Sequence, residues 1–194
     1  MRTFILVIAM LNASELFSQT TQPITIVGTD THILVHSKDS TFQFDNNDIY
    51  LLHLNKGVEL GTNENYLEAI SEFEAAALFK SDDAQLYFNW GLAEFFLENF
   101  NEAISKFDDA IQLNNEIASY YNQRGVCYAK LNDFEKAISD LDKAIDLDKN
   151  FGDAFLNKGV TYMQMGLMSN AEKELKKAKA LGSLKASQIL KDYF

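Results

Sequence analysis

Proline, cysteine and long apolar runs are scarce in this sequence. The only proline is Pro23, so nothing in the remainder of the 194-residue chain removes a backbone donor from the interior of a helix. The only cysteine, Cys127, excludes an intramolecular disulfide and has no CxxC or Cys/His companion for zinc. We therefore predict that Cys127 is a small buried apolar residue. These absences favour a chain in which helices follow one another without interruption.

Acidic residues outnumber basic ones, which gives a formal net charge of −11. The charge is unchanged without residues 1–18, because Arg2 and Glu15 cancel. A phosphate backbone would be repelled by this field, so we expect no nucleic-acid partner. The acidic surface favours solubility, and a basic partner is the alternative interpretation.

The N-terminus has the features of a secretory signal. Arg2 is followed by eight consecutive apolar residues from Phe4 to Leu11, and then by a stretch of small and polar residues. This order is typical of a signal peptide, and the run is too short to span a bilayer. We predict a signal peptide over residues 1–18, cleaved after Ser18 or alternatively at Ala13, and an exported protein, periplasmic or secreted, with no membrane span after signal removal. An ordinary N-terminal helix is the alternative.

Residues 19–49 have a different character. Three short runs rich in β-branched and aromatic residues, 24–27, 32–35 and 41–44, are separated by turn residues. They predict a small hairpin or three-stranded meander, or a partly disordered segment, since a few strands rarely stand alone in water. His32 and His36 would lie about 13 Å apart along a strand, too far to share a metal ion.

A 34-residue period runs through residues 50–185. An interior glycine costs about 1 kcal/mol relative to alanine in a helix, so four glycines in phase predict that another backbone comes close there. Two alanines seven residues apart lie on one helix face, with a large residue between them. The pattern predicts pairs of antiparallel helices. Five classes of position repeat: Gly57, Gly91, Gly125 and Gly159; Ala69, Ala103, Ala137 and Ala171; Ala76, Ala110, Ala144 and Ala178; Phe73, Phe107, Leu141 and Leu175; Tyr66, Phe100, Phe134 and Met168.

This pattern resembles the tetratricopeptide repeat (TPR) over residues 50–83, 84–117, 118–151 and 152–185. The resemblance is carried by the period, by the first-helix glycine and by the Ala-x3-Phe/Leu-x2-Ala sequence of the second helix. It implies an all-α fold, a right-handed α-solenoid of four antiparallel helix pairs, preceded by the β-prone segment. Residues 186–194 are expected to form a capping helix, with Leu184, Ile189, Leu190 and Phe194 covering the end of the array.

Two features depart from the family pattern. The usual proline after the second helix is missing, and the usual first-helix tyrosine is absent from the first two copies. The positions concerned are Ser81, Asn115, Lys149 and Ser183 for the proline, and Leu60 and Glu94 for the tyrosine. The turns between copies are therefore less strongly specified than the helices.

No catalytic constellation is present in the sequence. All three histidines lie at or before position 53, and there is no GxSxG, GxxxxGK[ST] or HExxH. The carboxylate pairs Asp108/Asp109 and Asp140/Asp142 are interpreted as solvated surface. We predict a protein that is not an enzyme, with no catalytic residues, no cofactor and no metal. Chemistry within residues 19–49 is disfavoured, because few ionisable groups gather there.

The resemblance implies instead a peptide-binding groove on the concave face, which the first helices of the pairs line. The helix around Phe88 to Phe96 is apolar nearly all round, so it is either buried on all sides or presents an apolar patch to a partner. The groove residues carried over by position are Leu54, Val58, Phe88, Leu92, Phe95, Phe96, Asn122, Val126, Leu156, Val160 and Met163.

Three functions remain open at this point. The first is a scaffold that binds an apolar segment of another protein or peptide in this groove. The second is a structural repeat protein whose groove is filled in cis by residues 24–44, and the third is an accessory subunit of a cell-envelope complex. Of the positions with which cochaperone relatives grip a terminal carboxylate, only Asn89 matches, so that role is not expected. The partner and the oligomeric state are not specified by the sequence.

Overall fold

A small antiparallel sheet precedes nine helices in the part of the chain that the computed structural model describes, residues 25–28, 32–36 and 41–194. The predicted signal peptide, residues 1–18, lies outside the described residues. The strands are β1 (Thr25–Gly28), β2 (His32–His36) and β3 (Thr41–Asp45). They pair in the order β1-β2-β3, with Ile26 opposite Val35 and Ile33 opposite Phe44. The sheet is thus a meander, as the three β-branched runs predicted.

The helices form four antiparallel pairs and a final single helix within the described residues. We call the first helix of each pair its A helix and the second its B helix. The helices are α1 (Asn46–Thr62), α2 (Tyr66–Ala77), α3 (Ala84–Phe96), α4 (Phe100–Leu113), α5 (Ala118–Lys130), α6 (Phe134–Leu147), α7 (Gly152–Gln164), α8 (Met168–Ala180) and α9 (Leu184–Tyr193).

The sheet joins the helices through β3 and α1. Asp45 ends β3 and caps α1, because its side chain accepts a hydrogen bond of 2.8 Å from the backbone N–H of Asn47. The first A helix therefore begins at Asn46, four residues before position 50, where the sequence pattern starts. Ile49 and Tyr50 are buried in the first turns of α1, which anchors this end of the array.

Each A helix ends without proline, by a left-handed residue. Glu64, Glu98, Asn132 and Gly166 occupy one repeat position and have φ between 61° and 75°. The next backbone N–H reaches back to a carbonyl five residues earlier, as from Asn99 to Glu94 at 3.0 Å. This six-to-one bond is the Schellman way of satisfying the last carbonyls of a helix. It turns the chain sharply enough for the B helix to return antiparallel.

The four repeated glycines lie where the B helix presses on the A helix. A Cβ on Gly57 would lie 2.5 Å from the Phe73 ring, and a Cβ on Gly91 would lie 2.6 Å from the Phe107 ring. Only Gly125 and Gly159 have a carbonyl among these close neighbours. A close approach therefore exists at each glycine, but the prediction that a second backbone makes it was wrong at Gly57 and Gly91, where the nearest atoms belong to a Phe ring. All eight repeated alanines are fully buried around this contact.

The last helix, α9, packs on α8 and covers the end of the array. Ala186 is buried, and Ile189 and Leu190 pack against the core of the fourth pair. The expectation that Leu184 contributes to the cap is wrong, since that side chain is 86% exposed at the first position of the helix. No helix within the described ranges has both the length and the apolar character required to cross a bilayer.

Candidate functional site

The four A helices share one inner face of the solenoid. Each of α1, α3 and α5 contacts the next A helix as well as its own B helix. The residues predicted to form a groove lie on these four helices. Their exposure differs strongly from one end of that surface to the other.

A cavity of about 430 Å³ opens between α1, α2 and α3. Its walls are mainly apolar, and three of the predicted groove residues, Val58, Leu92 and Phe96, contribute to them. The described lining is Gly57, Val58, Gly61, Thr62, Glu64, Tyr66, Phe73, Asn89, Leu92, Ala93 and Phe96. Ile33 and residues 43–45, the strand residues whose side chains are described, do not line this cavity.

A missing side chain at Gly61 opens the cavity. The equivalent residues of the other pairs, 34, 68 and 102 positions later, are Phe95, Ala129 and Met163. A Cβ placed on Gly61 would meet no atom within 4 Å, in contrast to Gly57 one turn earlier. In the second pair, Phe95 fills the same position and packs on Phe100, with ring centroids 5.7 Å apart. The space above Gly61 is therefore not filled by a side chain from that repeat position.

Two stacked aromatic rings form one wall of the cavity. The rings of Tyr66 and Phe96 are nearly parallel, 13° apart, with centroids separated by 5.1 Å. Phe96 is 57% exposed and Val58, on the facing helix, is 39% exposed. Exposed apolar side chains grouped around a concavity are characteristic of a surface that meets another molecule.

The mouth of the cavity is negative. Among the described residues that line it, Glu64 alone carries a charge, and its carboxylate makes no ion pair with any described residue. Helix α3 contains no basic residue, and the one lysine of α1, Lys56, lies 2.5 Å from Glu72 on the B helix. A cation on a ligand would therefore meet an acidic rim with no resident cation to oppose it.

Glu72 is held by two partners from α1. The Nδ1 atom of buried His53 lies 2.6 Å from one carboxylate oxygen, and Lys56 approaches the other. Burial raises the pKa of Glu72, but the hydrogen bonds from His53 and Lys56 outweigh it, and the net result is a pKa below the ordinary value. Glu72 therefore stays ionised, and Lys56 is kept on the side of α1 away from the cavity lining.

The third and fourth A helices present a different surface. Asn122 and Leu156, both predicted groove residues, are only 4% and 6% exposed. The Asn157 amide donates to Asn122 Oδ1 at 2.9 Å, and the Asn122 amide donates to Gln123 Oε1 at 3.0 Å. Val160 and Met163 pack against the core that contains Leu156. Here the inner face is occupied by the fold's own side chains.

The remaining predicted groove residues are half-buried and serve the core to different degrees. Phe88 packs on Phe107 and Tyr120, with centroid distances of 5.8 and 4.8 Å. Phe95 belongs to the same cluster, and Leu54 packs in the core of the first pair. Val126 is half-buried on α5. The structure thus brings Val58, Leu92 and Phe96 together at one cavity and assigns Phe88 and Leu54 mainly to packing.

One series of cross-hairpin contacts, which we call the ion ladder, was not predicted from the sequence. The residue before each repeated glycine meets the residue sixteen positions later on the B helix: Lys56 with Glu72, Arg124 with Asp140 at 2.7 Å, and Lys158 with Glu174 at 3.9 Å. In the second pair Trp90 takes the place of the cation, and the Lys106 ammonium lies 4.0 Å above its ring. The sequence signal that could have predicted this ladder is the recurrence of oppositely charged residues sixteen positions apart.

Asp140 is therefore not the solvated residue that the sequence analysis assumed. It is buried and accepts hydrogen bonds of 2.7 and 2.8 Å from the Arg124 guanidinium, which also donates to Asp108 of the preceding pair at 2.6 Å. The hydrogen bond with Asp140, together with that to Asp108, raises the pKa of Arg124 above its usual value. The interpretation as surface was wrong because the partner lies on another helix.

Chemistry beyond binding finds little support in the described residues. Those ranges contain no group of three or more His, Cys, Asp or Glu side chains arranged to hold a metal ion. Cys127 is fully buried, and burial raises the pKa of its thiol to about 12, which removes its nucleophilic form at neutral pH. Among the described residues, the cavity lining holds one carboxylate and no histidine.

Comparison with known families matches the C-terminal half of the array. Residues 118–151 and 152–181 each match a family model described as the tetratricopeptide repeat. No curated protein matches the chain.

Several solved structures share the fold. A crystal structure of MamA is 27% identical, covering 71% of this chain and 81% of that one, with a TM-score of 0.65. YrrB, described as a TPR protein with an unusual peptide-binding site, is 25% identical over 73% of this chain and 74% of its own, with a TM-score of 0.66. The first TPR of Spaghetti (RPAP3), bound to the HSP90 peptide SRMEEVD, is 20% identical over 58% and 90%, with a TM-score of 0.54.

Proposed function

We propose, from the premise that this chain contains tetratricopeptide repeats in a solenoid fold, that it is a scaffold which holds a segment of another protein on the inner face of its first two helix pairs. The observation that carries this proposal is the 430 Å³ apolar cavity between α1, α2 and α3, bordered by the exposed ring of Phe96. Pockets of roughly 300 to 1,000 Å³ with apolar walls and few polar groups are the usual form of a binding site.

The related structures support a peptide as the ligand class. YrrB is described as having a peptide-binding site, and the Spaghetti domain is bound to a peptide. In this chain the acidic rim at Glu64 and the absence of a cation in the described lining disfavour a ligand that is gripped by its terminal carboxylate. We infer that an internal stretch of a partner chain is bound, with its apolar side chains directed into the cavity.

We count the pairs α1–α2 and α3–α4 as repeats of the same kind as residues 118–181. Their glycines contact Phe73 and Phe107 as Gly159 contacts Leu175, and their alanines are buried in the same register. The binding site would then lie in the half of the array that has diverged furthest from the family pattern, since Leu60 and Glu94 replace the first-helix tyrosine there.

The alternative in which residues 24–44 fill the groove in cis is less well supported. The described strands meet the helices through β3 and α1, and none of the strand residues whose side chains are described, Ile33 and 43–45, lines the cavity. We infer that the groove takes a partner instead, whether that partner is a free protein or a subunit of a cell-envelope complex.

A peptide selection on the full chain tests the proposal. Random peptides displayed on phage would be selected against the wild-type protein, and enriched sequences would be measured by fluorescence anisotropy. We expect Phe96→Ser to weaken binding about tenfold, because a half-exposed aromatic anchor is removed. Leu78→Ser is the matched control, since Leu78 is equally exposed at the end of α2 but lies outside the cavity lining. Equal affinities for the two variants, or no enriched peptide, would contradict the proposal.

We also propose that the protein acts after export, on the basis of the basic start and apolar run within residues 1–18. The full chain and a version lacking residues 1–18 would be expressed and their cell fractions compared by mass spectrometry. The full chain should be found outside the cytoplasm with a new N-terminus near Gln19. An uncleaved chain retained in the cytoplasm would refute export.

A further inference from the structure

We propose that the space left by Gly61 is a subsite for one large apolar side chain of the bound segment, and that Glu64 selects a lysine or arginine next to that side chain. This inference rests on the proposed function and names the kind of sequence that the site recognises. It rests on three features of the cavity: its size, the nature of its walls and the charge at its mouth.

The size of the cavity suits one side chain together with its flanking backbone. Its volume of about 430 Å³ lies at the low end of the range for ligand pockets, which rules out a whole folded element. The floor is built from small residues, Gly57, Gly61 and Ala93, so the bound group reaches close to the A helices. The Phe73 ring lies beneath Gly57 and closes the bottom.

The walls favour an aromatic or long aliphatic group. Val58 of α1 and Leu92 of α3 both line the cavity, as do the stacked rings of Tyr66 and Phe96. A bound ring could extend this stack, since aromatic groups pair at centroid distances of about 4.5 to 7 Å. Asn89 lines the cavity, and because its Oδ1 accepts from Gln85 at 3.0 Å, its amide N–H groups could donate to the backbone of a bound peptide.

The charge at the mouth selects the neighbour of that anchor. Glu64 is exposed, lines the cavity and forms no ion pair with a described residue. Lys56, the lysine of α1, is engaged by Glu72, and α3 has no basic residue. A cation placed beside the anchor therefore gains an attraction that nothing nearby opposes, whereas an acidic neighbour is repelled.

Glu64 also has a structural counterpart that separates recognition from backbone effects. Glu64 and Glu98 occupy the same repeat position with φ of 63° and 62°, where the fourth pair has Gly166. Only Glu64 lines the cavity. A change at Glu98 is therefore the matched control for the backbone effect of the same change at Glu64, without the loss of charge at the mouth.

The test uses the peptides selected against the full wild-type chain, with substitutions on both sides. Enriched peptides should share a large apolar residue beside Lys or Arg, and replacing that apolar residue by alanine should weaken binding at least about tenfold. Gly61→Phe, which fills the space, should weaken binding to a similar extent. Gly61→Ala, whose added Cβ meets no neighbour, should leave the affinity within about twofold.

The charge is tested by a double-substitution cycle. Glu64→Gln should weaken a Lys-containing peptide about threefold to fivefold at low salt, and should not affect the same peptide with Gln in place of that Lys. Glu98→Gln should leave both affinities unchanged. Circular dichroism checks that each variant is folded, and the peptide-side changes keep the test decisive if Gly61→Phe does not fold.

The outcomes distinguish the two proposals. Peptides that depend on Phe96 but show neither an apolar anchor with a basic neighbour nor sensitivity to Gly61→Phe would overturn this inference and leave the proposed function intact. A cycle energy of zero between Glu64 and the peptide lysine would overturn the selection of a cation. Enrichment of no peptide at all would overturn both proposals.

Discussion

The first and the last junctions between A helices have the same architecture and opposite surfaces. Between α1 and α3 a glycine stands at position 61, and the space above it is open and bordered by exposed Phe96 and Val58. Between α5 and α7 the inner face holds buried Leu156 and the hydrogen bond between Asn157 and Asn122. The difference teaches that the same backbone arrangement can leave a cavity at one junction and fill it with side chains at another. The filling comes from several residues together, since the α5 residue equivalent to Gly61 is the small Ala129.

The largest difference between the two junctions is expected from truncating Leu156, the buried apolar residue of the closed junction between α5 and α7. Leu156→Ala should lower the free energy of unfolding by about 3 kcal/mol, because a buried leucine leaves a cavity that the core cannot close. Val58→Ala at the open junction should cost less than about 1 kcal/mol, since that side chain is already half in water. Urea unfolding of both variants measures the difference, and equal losses would show that the two junctions are packed alike.

The next largest effect concerns the ion ladder in the third helix pair, α5 and α6. Arg124→Met should destabilise the fold by about 2 kcal/mol, because Asp140 is left buried without its guanidinium partner. Adding Asp140→Leu to Arg124→Met should recover most of the loss. Lys106→Met, which removes the cation above Trp90 in the second pair, should cost about 0.5 to 1 kcal/mol. A larger cost for Lys106→Met than for Arg124→Met would reverse this ranking.

Two glycine substitutions sharpen the contrast within the first two pairs. Gly61→Ala should raise the free energy of unfolding by up to about 1 kcal/mol, because helix propensity improves and the new Cβ meets nothing. Gly91→Ala should lower it by about 1 to 2 kcal/mol, because its Cβ would lie 2.6 Å from the Phe107 ring. Thermal unfolding checks the two signs, and a gain at both sites would show that the contact at Gly91 relaxes without cost.

The smallest expected effect is a dependence on pH in the first pair. The pKa of Glu72 is lowered in the folded state from an unfolded value of about 4.5, so its stabilising contribution is complete above that pH. The contribution is lost as the pH falls through the lower folded pKa. Melting temperatures from pH 7 to about pH 3 should therefore converge for wild type and Glu72→Gln at the acid end. Glu74→Gln, an exposed change on the same helix, should run parallel to wild type.

The fold could be predicted because its information is local and repeated. Gly57, Ala69, Phe73 and Ala76 return every 34 residues, and each return requires the same contact between two neighbouring helices. The site could be predicted only in part. Val58, Leu92 and Phe96 were placed by position and do line a cavity, while Phe88 and Leu54 were placed by the same rule and pack mainly inside.

The incorrect and absent predictions have a common cause, because each depends on what the surrounding helices place next to the residue. Asp140 was interpreted as solvated because carboxylates on a helix face are ordinarily exposed; the Arg124 that pairs with it lies on the facing helix. Leu184 was expected to cover the end of the array, but it stands at the first position of α9 and faces water. Gly61 was not predicted to belong to the site. It lies outside the repeated glycine series, and the sequence does not show which atoms surround it.

The sequence by itself determined the helix pairs, their register and the close contact at each repeated glycine, because these depend on residue size at short and regular separations. Only the tertiary structure decided where the inner face is open, which charges are satisfied across a hairpin and which aromatic rings remain exposed. The physical reason is that a cavity belongs to no single residue. It arises where three helices meet and one of them, at Gly61, contributes no side chain to fill the space.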